Sequence, residues 1–208
     1  MRYVKQDGTN NTVLILLHAM GGDATSLFEI AETIDPDATK LGIEGNVFEE
    51  GERRYFERFI DWSFVPDSLA ENTRAVYELI CKLIKEFNWE DRTIIVIGLA
   101  NGANVAQNIL KEYKVDFDGM IIFHPSLTRP FVPYKQQDGL RALVTFGIAD
   151  PHILREEYEW ILDGLKASGV DAIRLEHTWG HVLKPEEVEA ARDLVKLIAD
   201  EQRAMRAE

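Results

Sequence analysis

The sequence has a single cysteine, Cys81, and no long apolar segment. One cysteine excludes a disulfide within the chain and suits a reducing compartment. No apolar run approaches the roughly 18 residues of a membrane-spanning helix, and the first residues lack the apolar core of a secretion signal. These absences predict a cytoplasmic protein without a transmembrane span.

Positive charge is also scarce. The chain has 23 Lys and Arg residues against 36 Asp and Glu, a formal net charge of −13 at pH 7. The acidic residues are spread along the chain and do not form a tail. Because dispersed negative charge repels nucleic acid and anionic membrane surfaces, we expect neither as a partner. No sequence feature indicates an oligomeric state.

The length of 208 residues fits one domain, residues 1–208, with a substantial core. Short apolar runs rich in β-branched residues predict strands at 13–17, 94–97, 120–123 and 143–146, and weaker runs suggest strands at 41–43 and 172–175. Three-and-four spacing of apolar residues predicts helices near 25–34, 69–87, 103–113, 154–168 and 185–205. This alternation predicts an α/β fold, with a doubly wound, mostly parallel sheet flanked by helices and a site at the carboxyl ends of its strands.

The start of the longest of the central helices has a local signal. Ser68, followed three residues later by Glu71, predicts a capping box that begins the helix at Leu69. Pro185 marks the start of the last helix, where proline is favoured in the first turn.

The segment Gly98-Leu99-Ala100-Asn101-Gly102 joins a predicted strand to a predicted helix. Its glycines allow a sharp turn and a close approach of strand and helix. The segment resembles the G-x-S-x-G nucleophile elbow of α/β-hydrolases, with alanine in place of the serine. Ala100 carries only a methyl group, so it cannot attack a carbonyl carbon.

Further motifs extend the resemblance over nearly the whole chain, in the same order as in the family. They resemble the H-G-x-G-G oxyanion loop, the R-G-N-V…R-F-F stretch, the G-x-x-D-P turn and the G-H of the catalytic histidine, and they lie at 18–22, 42–47 with 53–56, 147–151 and 179–181. Glu44 stands where the second motif has arginine. The chain is therefore identified as similar to the carboxylesterase/phospholipase branch of α/β-hydrolases, which includes acyl-protein-thioesterase-like proteins.

The resemblance implies a hydrolytic site for carboxylic esters or thioesters, with water as the second substrate. It makes His181 the base and Asp150 the acid that orients it, and it assigns the oxyanion hole to the backbone N–H groups of Met20 and Asn101. It implies no cofactor. The expected ligand is a small ester-like or aromatic molecule.

Several residues near these motifs are unusual and are candidates for a modified pocket or an alternative chemistry. They are His18, Ala19, Glu44, Trp62, Ala149, His152, His177 and Trp179. The two tryptophans would narrow an acyl or aryl pocket, although aromatic residues also anchor loops by ordinary packing. His152 is expected at the solvated rim, and His124, at the end of a strand, is expected to shape the wall of the cleft.

A metal site is not expected. His177 and His181 have the H-x₃-H spacing that suits zinc when both lie on a helix. The intervening Trp179-Gly180 pair predicts a loop instead.

Three functions remain open from the sequence. The chain is a carboxylesterase-type hydrolase inactivated by a natural or deliberate change of serine to Ala100, or an engineered variant whose pocket was rebuilt for another reaction. In the second case His152, His177 or His181 would act as nucleophile or base beside Glu44 or Asp150. The third possibility is a non-catalytic protein that binds small molecules in a retained esterase cleft.

Overall fold

A computed structural model describes residues 1–61 and 63–207 of the chain. Trp62 lies outside the described residues. Nine strands are present among those described: β1 Tyr3–Gln6, β2 Thr12–Leu17, β3 Thr39–Ile43, β4 Val47–Glu49, β5 Glu52–Arg54, β6 Thr93–Leu99, β7 Gly119–Phe123, β8 Arg141–Gly147 and β9 Asp171–His177. Five helices accompany them: α1 Phe28–Ile34, α2 Pro66–Glu86, α3 Asn101–Glu112, α4 Arg155–Ala167 and α5 Pro185–Arg206.

Seven of these strands form one sheet in the order β1-β3-β2-β6-β7-β8-β9. All neighbours pair in parallel except β1, which is antiparallel to β3 at one edge. The remaining strands, β4 and β5, form a separate hairpin. The predicted α/β class and the mostly parallel sheet are confirmed, and β1 and the hairpin are additions that the sequence pattern did not predict.

Both faces of the sheet are buried, which explains the continuous apolar runs. Along β2, Val13, Ile15 and Leu17 point into one hydrophobic cluster, whereas Leu14 and Leu16 point into the other. The first cluster packs under α2, α3 and α4, and the second packs under α1 and α5. Alternation over two covered faces makes the sheet doubly wound.

The predicted start of α2 is wrong. The helix begins at Pro66, three residues before the predicted start, and Val65 is its N-cap. The Ser68 hydroxyl accepts a hydrogen bond from the Glu57 backbone N–H at 2.9 Å, so it joins α2 to the preceding loop. Proline at the first helical position supplied the stronger signal, because its missing N–H and fixed φ suit a helix start.

None of the described helices has both the length and the apolar content needed to cross a bilayer.

The sheet also depends on a close approach at Gly42 in β3. A Cβ at this position would lie 1.6 Å from the Ala24 carbonyl oxygen, a distance that only backbone movement can relieve. The absence of a side chain at Gly42 therefore lets the loop before α1 lie directly on the sheet.

We expect Gly42→Ala to lower the free energy of unfolding by about 3 kcal/mol or more, because the loop must shift. The control is Gly139→Ala, where no atom beyond the adjoining residues lies within 4 Å of the added Cβ and only the φ of +75° is unfavourable. That change should cost about 1–2 kcal/mol. Urea denaturation of both variants measures the difference, and equal losses would contradict a steric cause at Gly42.

Candidate active site

The turn after β6 has the geometry of a nucleophile elbow. Ala100 has φ 49° and ψ −105°, an unfavourable backbone conformation for a residue with a side chain. Its N–H donates to the Phe123 carbonyl oxygen at 2.9 Å, and its own carbonyl accepts the Asn104 N–H at 2.9 Å. The turn thus holds Ala100 at the carboxyl edge of the sheet, although the residue lacks a nucleophilic atom.

Two glycines make this turn possible. A Cβ on Gly98 would lie 2.6 Å from the Gly102 carbonyl oxygen, and a Cβ on Gly102 would lie 2.0 Å from that of Leu17. The two ends of the elbow therefore pack closely on each other, and the elbow packs closely on the end of β2. This packing places Ala100 beside the loop that follows β2, which is the predicted oxyanion loop.

The predicted base and acid are in direct contact. The Nδ1 atom of His181 lies 2.6 Å from Oδ2 of Asp150, and the Asp150 side chain is only 1% exposed. The second carboxylate oxygen accepts the His152 backbone N–H at 2.8 Å. Burial would raise the pKa of Asp150, but the nearby His124 and the hydrogen bonds from His181 and the His152 backbone outweigh burial and lower it. Asp150 is therefore an ionised carboxylate that orients His181.

His181 and Ala100 face a common cavity of about 200 Å³. The cavity is lined by Ala19, Met20, Arg58, Ala100, Asn101, Asn104, Ser126, His152 and His181. The structure thus brings together the elbow, the base and both predicted oxyanion residues. The direction of the Met20 and Asn101 N–H groups toward a substrate oxygen remains a prediction of the resemblance.

Of the candidate pocket residues, Ala19 and His152 line this cavity. The rings of His152 and His181 are perpendicular, with centroids 4.8 Å apart. Burial lowers the pKa of His152, and the nearby Asp150, which acts in the opposite direction, does not outweigh burial. His152 is solvent-exposed, which agrees with the rim position that the sequence predicted.

The other described candidates do not line the cavity, and the pocket roles predicted for them need correction. The buried His18 ring uses both nitrogens for structure: Nδ1 lies 2.6 Å from the Ala19 carbonyl oxygen, and Nε2 accepts the Gly45 N–H at 3.0 Å. Burial lowers the pKa of His18, so the ring is neutral. Glu44 is buried between Arg2, at 3.2 Å, and Arg53, at 3.4 Å.

Trp179 and Ala149 also lie outside the lining. The Trp179 side chain is exposed, and Nζ of Lys184 lies 4.0 Å from its ring centroid. The Ala149 N–H donates to the Trp179 carbonyl oxygen at 3.2 Å, so the two residues join the turn after β8 to the loop after β9. The prediction of a pocket role for Trp62 falls outside the described residues.

His177 ends β9 and does not line the cavity. It belongs to a buried charge cluster that it forms with His124 and Glu187. Its Nδ1 accepts the Trp179 N–H at 3.2 Å, so its ring proton lies on Nε2, which is 3.1 Å from Oε2 of Glu187. Glu187 is fully buried in the first turn of α5, and Oε2 also accepts the Lys184 N–H at 2.7 Å. His177 thus contacts Glu187 and lies apart from His181, the predicted base.

His124 lies between Glu187 and the dyad, the pair of Asp150 and His181. The sequence did not predict this connection. The residue follows β7, its side chain is 1% exposed, and its Nε2 lies 3.0 Å from Oε1 of Glu187. Its Nδ1 lies 3.5 Å from Oδ2 of Asp150. Burial alone would lower the pKa of His124, but Asp150 and Glu187 outweigh burial and raise it to about 9. His124 is therefore an imidazolium ion between two carboxylates.

The donor atoms in this region also form two groups compact enough to hold a metal ion. These groups are His124, Asp150 and His181, and His124, His177 and Glu187, with ligand atoms within 4.8 Å of one another. Within these groups Nδ1 of His124, Nε2 of His177 and Oε1 of Glu187 each face a group of the other cluster members at 3.0–3.5 Å but make no hydrogen bond of good geometry among the described residues. His177 and His181, whose H-x₃-H spacing was weighed as a zinc pattern and not expected to form a site, fall into different groups.

A larger cavity, of about 790 Å³, lies at the opposite end of the sheet. It is lined by Thr12 and Thr93, the first residues of β2 and β6, and by the last turns of α5. Three of its charged side chains pair with one another, because Asp200 contacts Lys196 and Arg203. Since α/β sheets bind ligands at the carboxyl ends of their strands, the smaller cavity is the functional candidate.

The comparisons with known proteins agree with this geometry. No protein-family model matches the chain. The chain is 33% identical over 196 residues to MhqD of Bacillus subtilis (strain 168), whose name describes it as a hydrolase, and the match covers 94% of the chain and 98% of MhqD.

Solved structures show the same relationship. A Bacillus cereus carboxylesterase is 30% identical with a TM-score of 0.90, over 95% of the chain and 94% of that protein. YahD, solved with malic acid, is 31% identical with a TM-score of 0.87, over 95% and 98% of the two chains. The chain belongs to the carboxylesterase family of α/β-hydrolases.

The charge on His124 makes stability depend on alkaline pH. Because its pKa is raised from 6.5 to about 9, its stabilising contribution is complete below about pH 6.5 and is lost as the pH rises through 9. In Glu187→Gln one carboxylate is removed, so the melting temperature should begin to fall at a lower pH. Thermal melts from about pH 6 to about pH 10 measure this change.

The matched control is Glu186→Gln, the neighbouring but exposed carboxylate in the same helical turn. It should leave the shape of the alkaline profile unchanged. The assignment of His124 would be wrong if both variants gave the profile of the parent chain.

Proposed function

We propose that the chain has a carboxylesterase site without the nucleophilic serine. This site binds small esters or thioesters and lacks only the nucleophile that would be acylated. The observation that carries this proposal is the 2.6 Å contact of Asp150 with His181, which lines the same cavity as the Ala100 methyl group. The elbow also has the strained backbone, with φ 49° at Ala100, that would present a nucleophile, although the alanine side chain cannot be acylated.

The chemistry follows from what each group can do. With a hydroxyl at position 100, His181 Nε2 would take its proton as the oxygen attacks the ester carbonyl, and would then return that proton to the leaving alcohol. Water would repeat the cycle on the acyl-enzyme. With Ala100, water is the only nucleophile offered to His181, so turnover is limited to the residual catalysis of the dyad and the oxyanion hole.

The direct test is Ala100→Ser assayed with short-chain aryl esters. We expect kcat/KM to rise by roughly 10³-fold or more, because loss of a triad member in a comparable hydrolase costs several orders of magnitude. Ala100→Ser/His181→Ala is the control and should return to the level of the parent chain. A fluorophosphonate probe should label the single variant and leave the parent unlabelled.

Failure of the serine variant would contradict the proposal if the variant remains folded and binds ester analogues. That result would favour a pocket rebuilt for another reaction, natural or engineered, with His152 next to be replaced. His152 is the candidate because it lines the cavity beside His181.

A second candidate function is binding without turnover. It is favoured by Arg58 in the cavity lining and by the side-chain N–H₂ of Asn101, which has no hydrogen-bond partner among the described residues. These donors suit a small carboxylate. YahD was solved with malic acid, which supports a small organic acid as the class of ligand.

Calorimetric titration with malate tests this second function. We expect Arg58→Gln to weaken binding by roughly tenfold or more, because a charge-assisted hydrogen bond is worth about 1.5–3 kcal/mol. The matched control is Arg192→Gln, a charge change at the opposite end of the sheet. Equal affinities in the two variants would contradict a role for Arg58, and no heat with the parent chain would reject malate as a ligand.

A further inference from the structure

We infer that His124 is a positioning residue, a buried cation that Glu187 holds against Asp150 so that Asp150 in turn fixes the ring of His181. The contacts form a continuous chain in the order His181, Asp150, His124, Glu187 and His177. The inference rests on the proposed function only in the experiments that measure ester hydrolysis.

The topology brings these side chains together. His124 follows β7, Asp150 follows β8, and His177 ends β9. These three strands are adjacent and parallel, so their carboxyl ends meet at one edge of the sheet. Glu187 reaches the same point from the first turn of α5, where the helix dipole favours a negative charge.

The protonation states follow from the partners of each ring. Carboxylates accept hydrogen bonds and cannot donate them when ionised, and His124 faces one with each nitrogen, at 3.5 Å and 3.0 Å. A bare nitrogen lone pair facing either carboxylate would be repelled. The His177 ring accepts a hydrogen bond through Nδ1, which leaves its proton on Nε2, 3.1 Å from Oε2 of Glu187.

The charge balance gives His124 its effect on the dyad. Asp150 and Glu187 carry two negative charges and His124 carries one positive charge, so the buried cluster has a net charge of −1 while His181 is neutral. It becomes neutral when His181 accepts a proton, as it does during ester hydrolysis. Without His124 the cluster would carry an additional negative charge, and Asp150 would lose one of the groups that hold its carboxylate in place.

The backbone supports a specific role for His124. Its φ of 52° lies in the left-handed region, and the next residue is Pro125. A side chain larger than glycine is unfavourable at this φ, so the fold tolerates strain to present an imidazole at this point. The rings of His177 and His181 each lie with centroids 5.3 Å from that of His124, which places it between the buried and the exposed ends of the chain of contacts.

The test compares His124→Gln with His124→Gln/Glu187→Gln, both in the Ala100→Ser background. The single variant leaves Glu187 buried without its cation and should be strongly destabilised. The double variant removes one charge of each sign, so we expect its melting temperature to recover. A residue with a merely structural role would recover activity together with stability.

We expect kcat of the stable double variant to stay roughly 10-fold or more below that of Ala100→Ser, with little change in KM, because outer partners of a site contribute about 10–100-fold. The acid limb of its pH–rate profile should move to higher pH, because Asp150 no longer shares its charge with a second cation. Glu186→Gln is the matched control and should change neither quantity. The inference would be overturned if the double variant had the kcat of Ala100→Ser and the same pH–rate profile.

A second measurement uses the chain with Ala100 and needs no turnover. Nitrogen NMR at neutral pH should show both His124 nitrogens protonated and His177 protonated on Nε2 alone. The proton between His181 and Asp150 should give a downfield resonance that is weakened in the double variant. A neutral His124 would overturn the inference, whatever the activity of Ala100→Ser.

Metal analysis of the purified chain supplies the remaining decisive outcome. We expect no zinc to remain with the protein after dialysis, since a doubly protonated His124 offers no lone pair to a cation. One equivalent of zinc, lost together with stability in His124→Gln, would overturn the inference and make His124, His177 and Glu187 a metal site.

Discussion

The contact between the elbow and the end of β2 is the constraint on which the active-site region depends. Gly102 lies so close to the Leu17 carbonyl that any side chain would collide with it, and Gly98 meets the elbow's own backbone in the same way. This contact brings three structures to one point: the strand that carries the elbow, the helix that follows it and the loop after β2. The cavity, the unfavourable φ of Ala100 and the position of the oxyanion loop all follow from it.

The second determinant of the site is a buried set of charges. Burying ionised groups is costly unless each has a partner of opposite charge, and breaking such a pair costs more than the pair contributes. Here Asp150 and Glu187 share the cation His124, and the helix start at α5 adds a backbone donor to Glu187. Asp150 and His181 therefore form one end of a larger electrostatic unit, and its other members, His124 and Glu187, do not line the cavity.

The site residues divide by the kind of information that identifies them. Ala100, Asp150 and His181 were predicted because each lies in a short motif with a recognisable turn. His18, Glu44 and His177 were predicted as pocket residues because they lie in or beside those motifs and are unusual there, and each instead contacts a different structural partner. The sequence does not give the orientation of these side chains, because a position in or beside a motif does not determine which way the side chain points.

His124 and Glu187 were not predicted as a pair because 63 residues separate them. Each had an ordinary local explanation, as a strand end and as an acidic residue in the first turn of a helix. The polar residue at the carboxyl end of a buried strand was the available signal for His124, since sites of α/β proteins form at that edge. No local pattern indicates that a helix start will lie over that edge and place a carboxylate there.

The sequence by itself determined the class of fold, because apolar runs buried on two faces and separated by amphipathic helices have few other solutions. It also determined that the elbow lacks a nucleophile, since that depends on the identity of one residue. Only the tertiary structure decided which of the polar residues meet. Hydrogen bonds and ion pairs between distant residues depend on strand order, helix placement and side-chain direction, which are properties of the packed chain as a whole.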